Sequence, residues 1–313
     1  MSNYRQDLPQ LSGELFLTDA GVETDLIFNH GIEIREFAAH TLLPDEKGRE
    51  ALANYLRGFL TLAREYDAGL VLDSQTWKAH MHWVDDLGAT EEELHEANRD
   101  AIEFIAGLKK EFSDNAKPIV LNGVIGPRGD AYAPEAEVAA NESEAYHAKQ
   151  ISWLADTDVD MLTALTFTQS DEAIGVVRAA RAHDLPVVIS FTVETDGKLP
   201  TGQTLDEAIN SVDDATDSYA SYFMVNCAHP DHFFNVLGAE DWARRIRGLR
   251  CNASRLSHAE LDECEVLDDG DPEELAEQYK SISTTMPWLN VFGACCGADL
   301  RHVSQIAAAV TGR

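Results

Sequence analysis

Basic charge is scarce in this sequence. Only 24 lysines and arginines stand against 55 aspartates and glutamates, a formal net charge of -31 over 313 residues. That balance argues against a polyanionic partner, whether nucleic acid or an anionic membrane surface. It fits a heavily solvated, salt-adapted exterior. Long apolar runs are missing as well: nowhere do about 18 apolar residues follow one another. The polar start from Met1 to Asp7 lacks the apolar centre of a secretion signal. Both absences predict a cytoplasmic protein with no membrane association. Cysteine is sparse and odd in number, five in all, which suits reduced thiols or metal ligation better than a disulfide framework. No linker, low-complexity stretch or shift in composition divides the chain, so a single domain over residues 1–313 is expected. A glycine-rich phosphate-binding turn after the first strand-like run is also lacking, which weighs against a doubly wound nucleotide-binding sheet.

What the chain does have is alternation. Apolar, strand-like runs occur at residues 14–24, 69–77, 118–127, 160–167, 186–194, 222–227, 248–253 and 289–295. Helical patterns separate them, at about 54–66, 90–111, 141–156, 170–183, from 205, 239–246, 272–281 and 299–311. The clearest is 90–111, where Thr90 and Glu93 form a capping box and Leu94, Ala97, Ala101, Ile105 and Leu108 recur at helical spacing. Eight strand–helix repeats predict an α/β fold, a single (β/α)8 TIM barrel. In such a barrel the chemistry sits at the carboxyl ends of the strands. Asp19, Gln75, Glu194, Asn226, Cys227, Asn252, Cys295 and Cys296 all fall there.

The most pointed of these is the doublet Cys295-Cys296, held between Gly293 and Gly297 at the end of the last strand. Adjacent thiols form an ordinary disulfide only with strain, yet at a turning strand end both can aim at one point. A soft metal suits that point, and Cys227, just past another apolar run, supplies a third thiolate. Three thiolates leave the fourth zinc position open, as in catalytic sites. Cys251 reads as packing, and Cys264, in an acidic stretch, has no assigned role. His229 reads as a capping residue, and His80 with His82 as surface or supporting residues. Asp19 is expected to orient the first loop through backbone amides.

Taken together, Thr18-Asp19-Ala20-Gly21 with Thr24, Asn226-Cys227 and Gly293-Ala294-Cys295-Cys296-Gly297 resemble the homocysteine S-methyltransferase family. The likeness runs from about residue 14 to 311 and includes Ile189-Ser190-Phe191-Thr192 with Asp196-Gly197, Asp160 with Glu172-Ala173, and Cys251-Asn252-Ala253. It implies a zinc enzyme of the betaine- or S-methylmethionine-using type, passing a methyl group to homocysteine sulfur for methionine biosynthesis. It also implies Zn2+ on Cys227, Cys295 and Cys296, and an acceptor facing the turn after Asp19, with Gly21 and Thr24. Gln75, Trp77, Glu194, Asn226 and Asn252 complete the expected substrate-binding set. Two departures stand out: Glu23 replaces a small residue, and Leu165 occupies the place where the family carries a glutamate for the acceptor's ammonium. Either Glu23 or Glu194 substitutes, or the acceptor is a different thiol.

The chemistry explains the residue types. A free thiol with pKa near ~8.5 is mostly protonated at neutral pH, and the thiolate is the nucleophile. Zinc among thiolates keeps electron density on an incoming sulfur, so no separate general base is needed. A cationic donor would be drawn to the negative site, with Trp77, Tyr132, Phe191 and Trp83 as candidate aromatic faces. No cobalamin or folate module follows the barrel, which points to a small diffusible donor. Two other readings remain: a metal-dependent barrel hydrolase or lyase, and a non-catalytic thiol or metal binder. The sequence leaves association with further copies of itself open.

Overall fold

In a computed structural model, residues 4–114, 117–131 and 137–313 are described. Eight parallel strands close into a barrel in sequence order: β1 (Phe16–Leu17), β2 (Gly69–Asp73), β3 (Ile119–Ile125), β4 (Met161–Phe167), β5 (Val187–Phe191), β6 (Tyr222–Asn226), β7 (Ile246–Cys251) and β8 (Val291–Ala294). Closure rests on β1, which pairs with β2 through Phe16 and Gly69 and with β8 through Phe16 and Val291. The expected (β/α)8 barrel is the observed fold.

Among the described residues, seven long helices coat the barrel: α1 (Glu46–Glu65), α2 (Glu91–Glu111), α3 (Ala140–Ala155), α4 (Ser170–Ala182), α5 (Leu205–Thr216), α6 (Pro272–Thr285) and α7 (Leu300–Thr311). Polar caps fix where they begin. Thr90 and Glu93 exchange capping bonds at α2, and Asp45 accepts from Gly48 N at α1. The expected helix over 239–246 is not formed. Trp242–Arg245 makes one 3-10 turn and Ile246 already opens β7. Eight residues propagate a helix poorly. Arg245, the last residue of that turn, is drawn across to Asp213 at 2.6 and 2.9 Å just before the chain enters β7.

Two apolar layers result. One lies between strands and helices and includes Leu17, Leu72, Leu121, Phe167, Phe191 and Phe292. The other fills the barrel: Phe16, Val71, Val120, Met161, Val188, Tyr222, Met224 and Val291. Strand β7 gives this inner layer a glycine, Gly248, where a Cβ would lie 2.7 Å from the Met224 methyl carbon. Below, the N-terminal segment plugs the barrel. Gln10 donates to Met161 Sδ at 3.0 Å, and Asn290 donates to the carbonyls of Gln10 and Glu14 at 2.8 and 2.7 Å. No helix among the described residues is long and apolar enough to cross a membrane.

Candidate active site

Above the apolar filling, the strand ends turn polar. Arg250, on the inner face of β7, pairs with both Asp19 and Asp73, and all three are buried. Asn122 donates to Asp73 at 2.7 Å, and Thr163 donates to Asn122 at 3.0 Å. Burial pushes the Asp19 carboxyl up, and the adjoining Arg250 guanidinium pulls it back down. Against the same cost of burial, Asp73 and Asp19 hold the guanidinium protonated. Asp19 thus braces the barrel through an ion pair, where backbone amides were expected. Arg250 was not singled out in the sequence. The missed signal is a buried arginine between Leu249 and Cys251 in a barrel strand, opposite two aspartates at strand ends.

The thiols stand on this layer. The doublet is pinned from two sides: Cys295 N donates to Cys251 O at 2.9 Å, and Ala253 N donates to Cys296 O at 3.1 Å. Gly297 N donates to the Thr24 hydroxyl at 3.2 Å, and that hydroxyl donates to Gly21 O at 3.0 Å. Gly21 lies so close that a Cβ there would come 2.7 Å from the Cys295 carbonyl oxygen. Gly297, with φ +79°, sits where a Cβ would meet the Asp268 carbonyl at 2.7 Å. The flanking glycines therefore let three backbones crowd together.

Cys227 arrives from β6 with a left-handed φ of +53°, which turns it from the strand toward the doublet. Its carbonyl accepts from the Thr192 hydroxyl at 3.2 Å and contacts His258 Nε2 at 2.7 Å. The three sulfurs lie within 4.8 Å of one another, and Cys227 Sγ is 3.8 Å from Cys296 Sγ. That separation is contact between free thiols, well beyond a disulfide bond of about 2.05 Å. Crowding makes ionisation hard: contact with the Cys227 sulfur heads the causes that push the Cys295 thiol to about 12 and the Cys296 thiol well above its ordinary value. A divalent cation relieves that repulsion, and three converging soft donors suit zinc. Cys251 is fully buried against Tyr279, as packing predicts, and Cys264 is exposed.

Each expected substrate residue has a definite place. Asn226 accepts from Thr166 N at 2.9 Å and Ser190 Oγ at 2.6 Å, and its amide reaches Thr166 Oγ1 at 2.8 Å. It locks β4, β5 and β6 together beside Cys295 Sγ, 3.9 Å away. Gln75 donates to Asp73 O at 3.0 Å, while its buried Oε1 and the buried Oδ1 of Asn252 have no hydrogen-bond partner among the described residues. Trp77 donates from its indole to Leu165 O at 3.0 Å. Glu194 turns away to His258, 3.1 Å from its Nδ1, and so supports the Cys227 loop from behind. His229 caps the short helix Pro230–Phe233, accepting from Asp231 N at 3.2 Å. His80 is buried against Tyr146 Oη at 2.6 Å, not at the surface.

A cavity of about 390 Å³ opens over the thiols, bounded by Cys227, Cys296, Glu23, Thr24, Trp77 and Thr166. Thr166, with φ +66° at an irregular point between β4 and β5, occupies the strand-four corner, with apolar Leu165 behind it. Trp77 and Trp83 line the rim, and Lys78 lies 3.8 Å above the Trp83 ring while donating to Glu36 O at 2.9 Å. Phe191 offers no face to a ligand, being fully buried against Phe223. Tyr132 lies outside the described residues.

A family model described as homocysteine S-methyltransferase matches residues 16–310. The chain belongs to the homocysteine S-methyltransferase family. Membership makes it a methyltransferase, and the thiol trio lies within the matched region. Among solved structures, the homocysteine methyltransferase MmuM from Escherichia coli is similar in fold. Its oxidized form matches with a TM-score of 0.73 at 14% identity, covering 95% of this chain and 96% of that chain. Its metallated form matches at 0.71 and 14%, covering 96% and 99%.

Proposed function

We propose that this homocysteine S-methyltransferase family member moves a methyl group from a small sulfonium or betaine-type donor to the sulfur of homocysteine or a related thiol. The observation that carries the reading is the convergence of Cys227, Cys295 and Cys296 on one point beneath a cavity of about 390 Å³. Those three residues would hold Zn2+, an assignment supported by their crowding and by the existence of a metallated form of the Escherichia coli homocysteine methyltransferase. When bound, zinc would supply the positive charge that keeps an acceptor thiol ionised at neutral pH.

The chain's own residues do the rest by placement. Asn226 and the Thr24–Gly297 contact fix the backbones that present the thiols. Gln75 and Asn252 lie behind the cavity wall, each with a buried oxygen that has no hydrogen-bond partner among the described residues. Four acids, Glu23, Asp130, Asp262 and Asp268, line the cavity against one base, Lys78, which favours a cationic donor. That donor would leave as a neutral molecule. Trp77 supplies an aromatic face for it, while the Trp83 ring is covered by the Lys78 ammonium. A barrel hydrolase or lyase generally uses histidine and carboxylate ligands, and the trio contains neither. We place the protein in the cytoplasm, a reading supported by its free cysteines.

The test combines metal analysis with mass-spectrometric detection of the methylated thiol. Homocysteine and alternative thiols are each paired with S-methylmethionine, betaine and S-adenosylmethionine. About one zinc per chain and product with one donor are expected, both lost in Cys296→Ala. Turnover that persists in that variant, or that needs no thiol, overturns the proposal.

A further inference from the structure

A cavity built over three thiols needs something to orient the rest of an acceptor molecule. The acids around it are not equivalent. Asp130 and Asp262 are exposed at the rim. Asp268 is already engaged, accepting from Ser254 Oγ at 2.5 Å and Gly270 N at 3.2 Å. Glu194 is turned to His258 and does not line the cavity. Leu165, on the wall next to Thr166, is apolar and its carbonyl is taken by Trp77.

Glu23 differs from all of these. It is half-buried and lines the cavity together with Cys227 and Cys296. The turn that carries it is held to the doublet segment by the Thr24 hydroxyl, which bonds Gly297 N and Gly21 O, and by Gly21 N on the Ala298 carbonyl. Lys78, the cavity's only basic residue among those described, has its ammonium on the Glu36 carbonyl and the Trp83 ring. A half-buried carboxyl held at a constant place beside a thiol site is complementary to a ligand cation.

We infer that Glu23 is a specificity-determining residue that receives the ammonium group of an amino-acid thiol and thereby selects acceptors carrying that group. The inference rests on the acceptor being a thiol bound at the cysteine trio, as proposed above. It assigns the recognition of the acceptor's amine to the β1 turn and leaves the strand-four corner, Leu165 and Thr166, without that task.

The test uses the zinc-loaded full-length protein and two thiols that differ only in the amine, homocysteine and 4-mercaptobutanoate. Binding is followed by the fluorescence of Trp77 and Trp83 at the cavity rim, and turnover by methylated product. Glu23→Gln should weaken homocysteine binding and raise its KM about tenfold or more, with kcat changed less than threefold. The affinity for 4-mercaptobutanoate should stay within twofold, and Glu23→Asp should recover part of the loss. Zinc content, measured in parallel, should be the same in all variants. Equal weakening of both thiols by Glu23→Gln overturns the inference, as does wild-type protein that binds the two thiols equally well. Homocysteine binding without any methyl transfer would sink the proposed reaction instead, while the binding comparison would still judge Glu23.

Discussion

The two ends of the barrel are built on opposite principles. At the closed end, Phe16, Val71, Val120, Met161, Val188 and Val291 pack without charge, and the segment around Gln10 covers them. At the open end, an arginine between two aspartates supports three thiols, and the backbone takes left-handed turns at Thr166 and Cys227. The first arrangement gains from every apolar group removed from water. The second gives up some of that gain to hold reactive groups in place. Stability and chemistry are thereby separated along the barrel axis, a division general to this architecture.

That separation can be attacked by substitution. Cys227→Ser should remove metal binding and lower methyl transfer by about a thousandfold or more, with little change in the urea midpoint of the metal-free protein. A large loss of stability in that metal-free comparison would show that the thiols also hold the fold. Phe16→Ala, at the closed end, should cost about 3–5 kcal/mol in urea unfolding and leave zinc content and kcat unchanged. A fall in kcat would mean that the two ends are mechanically coupled.

Acid offers a gentler probe of the open end. His40 lies buried in the 3-10 turn Ala39–Leu42 between β1 and α1, and desolvation lowers it from an ordinary 6.5 to about 4. Between those values the unfolded chain binds a proton that the folded chain refuses. Stability should therefore fall as pH drops from about 6.5 toward 4, by at most about 3 kcal/mol, and His40→Gln should flatten that slope in urea titrations. The smallest effect is expected from Thr24→Val, which removes the hydroxyl that accepts from Gly297 N. It should cost about 1 kcal/mol and lower zinc affinity severalfold, read by competition with a chelator. An unchanged zinc affinity would mean that the doublet does not need the β1 turn.

Sequence and structure agree most closely where a pattern is local. The eight strand cores and the capped helix Glu91–Glu111 follow from periodicity and end signals, and the barrel follows from their alternation. Cys295 and Cys296 were legible because glycines flank them, and Cys227 because it ends a strand. What depended on side chains reaching across the barrel was not legible. Arg250 meets Asp19 from 231 residues away and Asp73 from 177. Glu194 was a candidate for the cavity because it ends a strand, and only the fold reveals that His258 stands 3.1 Å from its carboxylate. Position along a strand tells which end a residue occupies, but not which neighbour its charge will find.

The shortness of β1 has a consequence for how the molecule is made. Its two residues are held on one flank by β8, which carries Cys295 and Cys296 at its tip. During synthesis the first strand must wait for the last before the ring can close, so the cysteines gather only after some 280 residues separating β1 from the doublet have left the ribosome. Until then Cys227 lacks the two thiols it meets in the closed barrel, so the trio is a product of closure itself.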